Sequence, residues 1–359
     1  GKIYKFDQNY VRCKSCYLIY QNPFVPPIIF NKIYQRLVIE NPSHQNSQRL
    51  KKHIKFFNSF IKIQSKKSSL LEIGCGTGGL LNYLKKKYKL HYKNVLGLEP
   101  SQKLYEYIKN KKLFNVKNLF LHQMHFKKKF DYIILDNVFE HFDYPIEALS
   151  KIKKLMHDET IAYFSVPNIY KINNTISDPL NHTCNYVIEN LNFLFNSNGL
   201  KILNFKIQEN WLNFIAKKNS KIKIESKSKN FFTYKLSKKI KKIENFLITN
   251  SKESKKIIKK IKNINISNSK NNQKITVFGA SNHSLELMNY LDKKYVLFLV
   301  DSNPMFHFKK RIGLKVFPPD YLLKKNFDKV LISSRAFNKE MNYQLRKLKV
   351  SKNKIINLY

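Results

Sequence analysis

Arginine is almost missing from this strongly basic chain. Of 67 basic residues in 359, only Arg12, Arg36, Arg49, Arg311, Arg335 and Arg346 are arginine, and 24 acidic residues leave a formal net charge of +43. A surface built for RNA or DNA leans on Arg for bidentate and stacking contacts. The charge therefore does not by itself identify a nucleic-acid binder. Lysine is spread along the whole chain among Asn and Ile, which reads as solvated helix faces and an A+T-rich coding sequence. Attraction to phosphorylated compounds or an anionic membrane surface stays open. Cysteine is scarce: Cys13, Cys16, Cys75 and Cys184 are too few for a disulfide framework and fit a reducing cytoplasm, the expected localisation. No run of about 18 apolar residues is present, so no transmembrane helix is expected, nor is there a signal-peptide core. The chain starts at Gly1 without Met, which leaves a trimmed or incomplete N-terminus open.

What is present is most informative at Leu70-Leu71-Glu72-Ile73-Gly74-Cys75-Gly76-Thr77-Gly78-Gly79-Leu80. An apolar run enters a glycine-rich turn, and a helical pattern follows. Glycine allows positive φ and close ligand approach, and a helix N-terminus supplies free N–H groups. Gly74-x-Gly76-x-x-Gly79 alone also fits a dinucleotide fingerprint. A second strand, Asn94 to Leu98, ends at Glu99, an acid placed to accept hydrogen bonds from ribose hydroxyls.

Glu72, two residues before the first glycine, resembles the acid of the E/D-x-G-x-G-x-G loop of class I S-adenosylmethionine-dependent methyltransferases. Phe130 to His141 resembles that family's fourth strand and following loop, and Thr160 to Asn168 its fifth strand. The resemblance covers roughly residues 50 to 217. It implies an α/β fold, a doubly wound, mainly parallel seven-stranded sheet with a terminal antiparallel hairpin (Leu200 to Ile207 and Trp211 to Ala216). It also implies S-adenosylmethionine as cofactor. Glu72, Gly74, Gly76 and Gly78 would line its methionine and ribose, Glu99 would take the ribose hydroxyls, and Asp136 and Asn137 would lie at the carboxyl end of strand four. Cys75 reads as a packing residue.

Residues 1–45 are expected as a separate partial zinc-ribbon-like module. Cys13-Lys14-Ser15-Cys16 is one C-x-x-C knuckle, half of a four-ligand zinc site; two thiols without metal are the alternative. The chain resembles sugar methyltransferases that carry a zinc-binding N-terminal module. The remaining expected boundaries are 46–217 for the methyltransferase domain, 218–273 for a helical connector and polar linker, and 274–359 for a smaller Rossmann-like domain. In the connector, Phe231 to Ile261 suits one or two long amphipathic helices and Asn263 to Gln273 a linker. The last region resembles the C-terminal domain of sugar-nucleotide methyltransferases, which implies that residues near Ala280 to His283, or Arg335, meet a nucleotide sugar's phosphates.

Methyl transfer is an in-line displacement that needs positioning and, for some acceptors, a base. His141, in the loop after strand four, and His182, after strand five, are the candidates. Sugar C-methyltransferases carry Tyr-His-Glu-His here. This chain reads Asn181-His182-Thr183-Cys184, so the acid and the second histidine are missing and O-methylation gains over C-methylation. The expected acceptor is a sugar or nucleotide sugar of surface-glycan synthesis, with nucleic acid not the expected partner. The rivals are an RNA methyltransferase and a non-catalytic scaffold.

Overall fold

The computed structural model describes residues 9–24, 47–125, 128–169, 182–208, 211–219, 234–281, 284, 287–334 and 337–359. Most of the expected N-terminal module, the 170–181 stretch before His182, and His283 and Arg335 lie outside these residues. The chain forms two compact units, residues 1–172 with 179–241, and residues 173–178 with 242–359.

The first unit is built on a seven-stranded sheet. Its strands are β3 (Leu70–Ile73), β4 (Val95–Leu98), β5 (Asn115–Lys117), β6 (Phe130–Asp136), β7 (Met156–Pro167), β9 (Leu200–Gln208) and β10 (Trp211–Lys218). They lie in the order β5-β4-β3-β6-β7-β10-β9. All neighbours up to β7 are parallel, and β10 runs antiparallel to both β7 and β9. This is the doubly wound sheet with a terminal hairpin that the sequence predicts. The period of two along each strand divides the core between the faces. On β6, Ile133 and Leu135 join one apolar cluster while Tyr132 and Ile134 join the other. One face is covered by α1 (Ser47–Asn58), α2 (Gly79–Lys87) and α3 (Gln102–Asn110) through Phe57, Leu80, Leu81, Leu84 and Ile108. The other is covered by α4 (Pro145–Lys154) and α5 (Ile188–Ser197) through Leu149, Ile152, Leu191 and Phe195. Phe164 of β7 stacks on Phe214 of β10 at 4.9 Å, with Phe195 edge-on to both.

The N-terminal hairpin does not stand alone. β1 (Tyr10–Arg12) and β2 (Ile19–Gln21) pair with each other, and β2 also pairs antiparallel with β8 (Cys184–Asn185), through Ile19↔Asn185 and Tyr20↔Cys184. Leu18 is buried in the methyltransferase core, with Cys13, Cys16 and Tyr20 packed against it. A two-stranded hairpin cannot bury enough surface alone, so the expected separate module is, over its described part, a sheet shared with the domain.

The second unit carries a six-stranded sheet, β13-β14-β12-β11-β15-β16. Here β11 is Ile275–Phe278, β12 Val296–Val300, β13 Lys310–Arg311, β14 Leu314–Phe317, β15 Lys329–Ile332 and β16 Ile355–Asn357. Only β13 is antiparallel to its neighbour. α6 (Tyr234–Asn271) is one 38-residue helix. It replaces the expected polar linker at 263–273: the run holds no Gly or Pro to stop a helix, and Ile257, Ile261 and Ile264 pack into this unit's core. α7 (Asn338–Lys347) follows β15.

Candidate active site

The loop after β3 turns through positive φ at Gly74, Gly76 and Gly78. Side chains are excluded there by contact as well as by φ. A Cβ at Gly74 would lie 2.6 Å from Val138 Cγ2, and one at Gly78 2.5 Å from Phe114 Cζ. The turn delivers the chain to the N-terminus of α2, whose apolar residues anchor it.

Carboxylates gather around this loop. Glu99, 2% exposed, follows β4. Its Oε2 accepts the Gly76 N–H at 2.7 Å and its Oε1 the Ser101 N–H at 2.8 Å. Burial pushes its pKa up to about 7 against these two hydrogen bonds. Glu72 is buried on β3 and accepts the Leu81 N–H in the first turn of α2. Burial, then the nearby Asp136 and Glu99 charges, raise it well above the ordinary carboxylate range. Its Oε2 is buried without a hydrogen-bond partner. Cys75 is buried beside these acids, and burial first, then Glu72 and Glu99, hold its thiol protonated, as a packing residue.

Asp136 and Asn137 end β6. His53 Nδ1 of α1 lies 2.8 Å from Asp136 Oδ1 and 2.6 Å from Oδ2, and Oδ1 also accepts from Asn137 Nδ2 at 3.1 Å. Asn137 adopts φ 56°, and its Oδ1 accepts the Trp211 indole N–H at 2.6 Å. The His53 ring meets Trp211 edge-on at 5.5 Å, and its Nε2 is buried without a hydrogen-bond partner. Sequence reasoning missed His53 and Trp211. The available signals were a histidine beside the Leu50, Ile54, Phe57 stripe and the single Trp opening a strand.

His141 and His182 come together from the loops after β6 and β7, with ring centroids 5.1 Å apart. Glu140, 1% exposed, has Oε1 4.0 Å from His141 Nε2. The loops are joined where the Glu140 carbonyl accepts the Thr183 N–H at 2.9 Å and Oγ1–H at 3.2 Å.

Cys13 and Cys16 are free, half-buried thiols in the β1–β2 turn. Burial raises Cys13, but hydrogen bonds from the Cys16 and Ser15 backbone outweigh it and hold the thiol below its usual value; burial pushes Cys16 up to about 11. Among the described residues, the group of three possible metal ligands is Glu140, His141 and His182.

Residues 43–204 match the family described as "Methyltransferase domain", and residues 271–356 the family described as "C2185-like, N-terminal". No curated protein matches. Several solved structures resemble the fold. An S-adenosylmethionine-dependent methyltransferase from Clostridium acetobutylicum is 14% identical over 54% of this chain and 99% of its own, with a TM-score of 0.39. The 1,6-didemethyltoxoflavin-N1-methyltransferase of Burkholderia thailandensis, with S-adenosylhomocysteine bound, is 11% identical over 60% of this chain and 100% of its own, at 0.43. The magnesium protoporphyrin IX methyltransferase of Synechocystis is 15% identical over 48% of this chain and 83% of its own, at 0.38.

The fold of the first unit is that of the class I methyltransferases. The match over residues 43–204, together with this sheet order, supports an S-adenosylmethionine-dependent methyltransferase domain in this chain. The donor set suits that cofactor. Three acids and a buried, unpartnered Glu72 oxygen surround the loop, chemistry that favours a cationic ligand without phosphates. No helix among the described residues is long and apolar enough to cross a membrane.

Proposed function

We propose that this enzyme methylates a hydroxyl of a sugar or nucleotide sugar, in the cytoplasm, for surface-glycan synthesis. S-adenosylmethionine supplies a methyl group activated on a sulfonium. In this reading Glu99 accepts the ribose hydroxyls. Glu72 and the backbone of Gly74, Gly76 and Gly78 line the methionine and ribose, and Asp136 and Asn137 border the cofactor beyond β6. His141 and His182 face the acceptor, and an imidazole nitrogen of one takes the hydroxyl proton as the oxygen attacks the methyl carbon.

The observation that carries this reading is the meeting of His141 and His182 at the carboxyl ends of β6 and β7, where open α/β sheets bind ligands. The loop holding His182 lacks the acid and second histidine of the sugar C-methylating run, which favours oxygen over carbon as the acceptor atom.

The test is transfer of labelled methyl to a panel of nucleotide sugars, beside binding of a mixed RNA pool at 50 and 200 mM salt. Turnover of a nucleotide sugar with weak RNA binding is the expected result. RNA methylation, with binding that falls by about 10³–10⁵ across that salt range as six to ten phosphate contacts are screened, would overturn it.

A further inference from the structure

We propose that Glu140, His141 and His182 hold a divalent transition-metal ion. One carboxylate oxygen and two imidazole nitrogens lie within 4.8 Å of one another. An ion central to three such atoms is within about 2.8 Å of each, and zinc binds imidazole nitrogen and carboxylate oxygen at about 2.0–2.2 Å. Side-chain movement of under about 1 Å per ligand closes that gap.

The donor set is informative. Two imidazoles and one carboxylate suit zinc or iron better than magnesium or calcium. Three protein ligands leave coordination positions open, the mark of a catalytic rather than a structural site. Glu140 is 1% exposed, so its carboxyl group sits away from bulk water beside the two imidazoles.

The ligands are also held in place from behind. Thr183 donates twice to the Glu140 carbonyl, which fixes the two ligand-bearing loops together. Gln21, 2% exposed on β2, donates through Nε2 to the His182 carbonyl at 3.0 Å. These bonds fix the backbone of the loops that carry the ligands, not the ligand atoms themselves. Through Gln21 the N-terminal hairpin braces this cluster.

The ion's role rests on the acceptor chemistry proposed above. A hydroxyl bound at an open position loses its proton to water more readily. The oxygen lone pair then forms the bond to the methyl carbon, and the carbon–sulfur bond breaks with its electron pair left on sulfur. With the ion bound, His141 and His182 serve as ligands and no longer as the base, and the proton leaves through solvent.

Metal binding is testable without any acceptor. The full chain carrying Cys13→Ser and Cys16→Ser, stripped of metal and free of cofactor, is titrated with Co²⁺. One Co²⁺ per chain is expected, with visible d–d absorption and no near-ultraviolet thiolate band. Adding Glu140→Gln, His141→Gln or His182→Ala should each lower cobalt affinity about a hundredfold or more, beyond the 10–100-fold typical of a supporting contact. S-adenosylhomocysteine titration of each variant checks that the unit is folded, and separates failure of this proposal from failure of the cofactor assignment. The proposal is overturned if the Cys13→Ser, Cys16→Ser chain binds no cobalt below millimolar concentration. It is equally overturned if folded ligand variants bind cobalt as tightly as their parent.

Discussion

Two roles compete for the Glu99 carboxylate. It holds the glycine loop through Gly76 and Ser101 and, in the proposed mode, accepts the cofactor ribose. Glu99→Ala should weaken S-adenosylhomocysteine binding by about 1.5–3 kcal/mol, the range for a hydrogen bond to a charged group, as measured by calorimetry. The pH dependence has a definite sign. Glu99 titrates near 7 in the folded chain, and only the ionised form accepts from both hydroxyls, so affinity should fall between pH 8 and 6. Glu99→Gln should flatten that profile. For stability the sign is opposite. The folded-state value lies above the unfolded 4.5, so the native state binds the proton more tightly. The Glu99 contribution is largest below 4.5, declines as pH rises to about 7, and is constant beyond.

His53 and Asp136 form the second residue-scale device. Both side chains are largely buried and meet through two short contacts. Removing one partner of such a pair strands a charge, at a cost of about 3–5 kcal/mol. Here the stranded Asp136 would also face Glu72. His53→Ala should therefore lower urea stability by about that amount. The His53→Ala, Asp136→Asn double variant should recover part of the loss, and strict additivity in the cycle would show that the pair is not coupled. The sequence disclosed Glu72, the glycines and Glu99 because they share one strand–turn–helix and its neighbouring strand. It did not disclose His53 or Trp211, because they meet Asp136 and Asn137 across 83 and 74 residues of chain.

At the scale of elements, the seam between β7 and β10 carries the terminal hairpin. Phe164 and Phe214 stack there with interplanar angle 3°, walled by Phe195. Phe214→Ala leaves a cavity among fully buried rings and should cost about 3–5 kcal/mol, read from chemical denaturation of the first unit. The hairpin itself was legible, because two apolar runs flank a short polar gap and β10 is buried as a central strand should be. The three-stranded β1-β2-β8 sheet was not. β8 is two residues long, and no local pattern marks two residues as a partner for a hairpin some 160 positions earlier.

For the whole molecule, two units with separate apolar cores imply that stability is not one quantity. Ile261 is fully buried in the second unit's core. Ile261→Ala should cost about 2–5 kcal/mol there and leave S-adenosylhomocysteine affinity unchanged. Calorimetric melts that shift one transition and spare the other are the expected record. A single transition moving as a whole, with cofactor affinity lost, would contradict this division.

The sequence by itself determined the sheet of the first unit and the glycine turn that follows its first strand. Those rest on hydrophobic period, glycine placement and an acid at a strand end, all read over a few consecutive residues. It also placed His141 and His182 on the loops after two neighbouring strands. Only the tertiary structure decided what those residues meet. Folding brought Glu140 and two histidines within reach of one ion, paired His53 with Asp136, and extended a Lys-, Ser- and Asn-rich run as helix where Ile257 and Ile261 found a core to enter. The physical reason is common to all three. Contacts between distant segments are set by packing and desolvation in three dimensions, and leave no periodic trace along the chain.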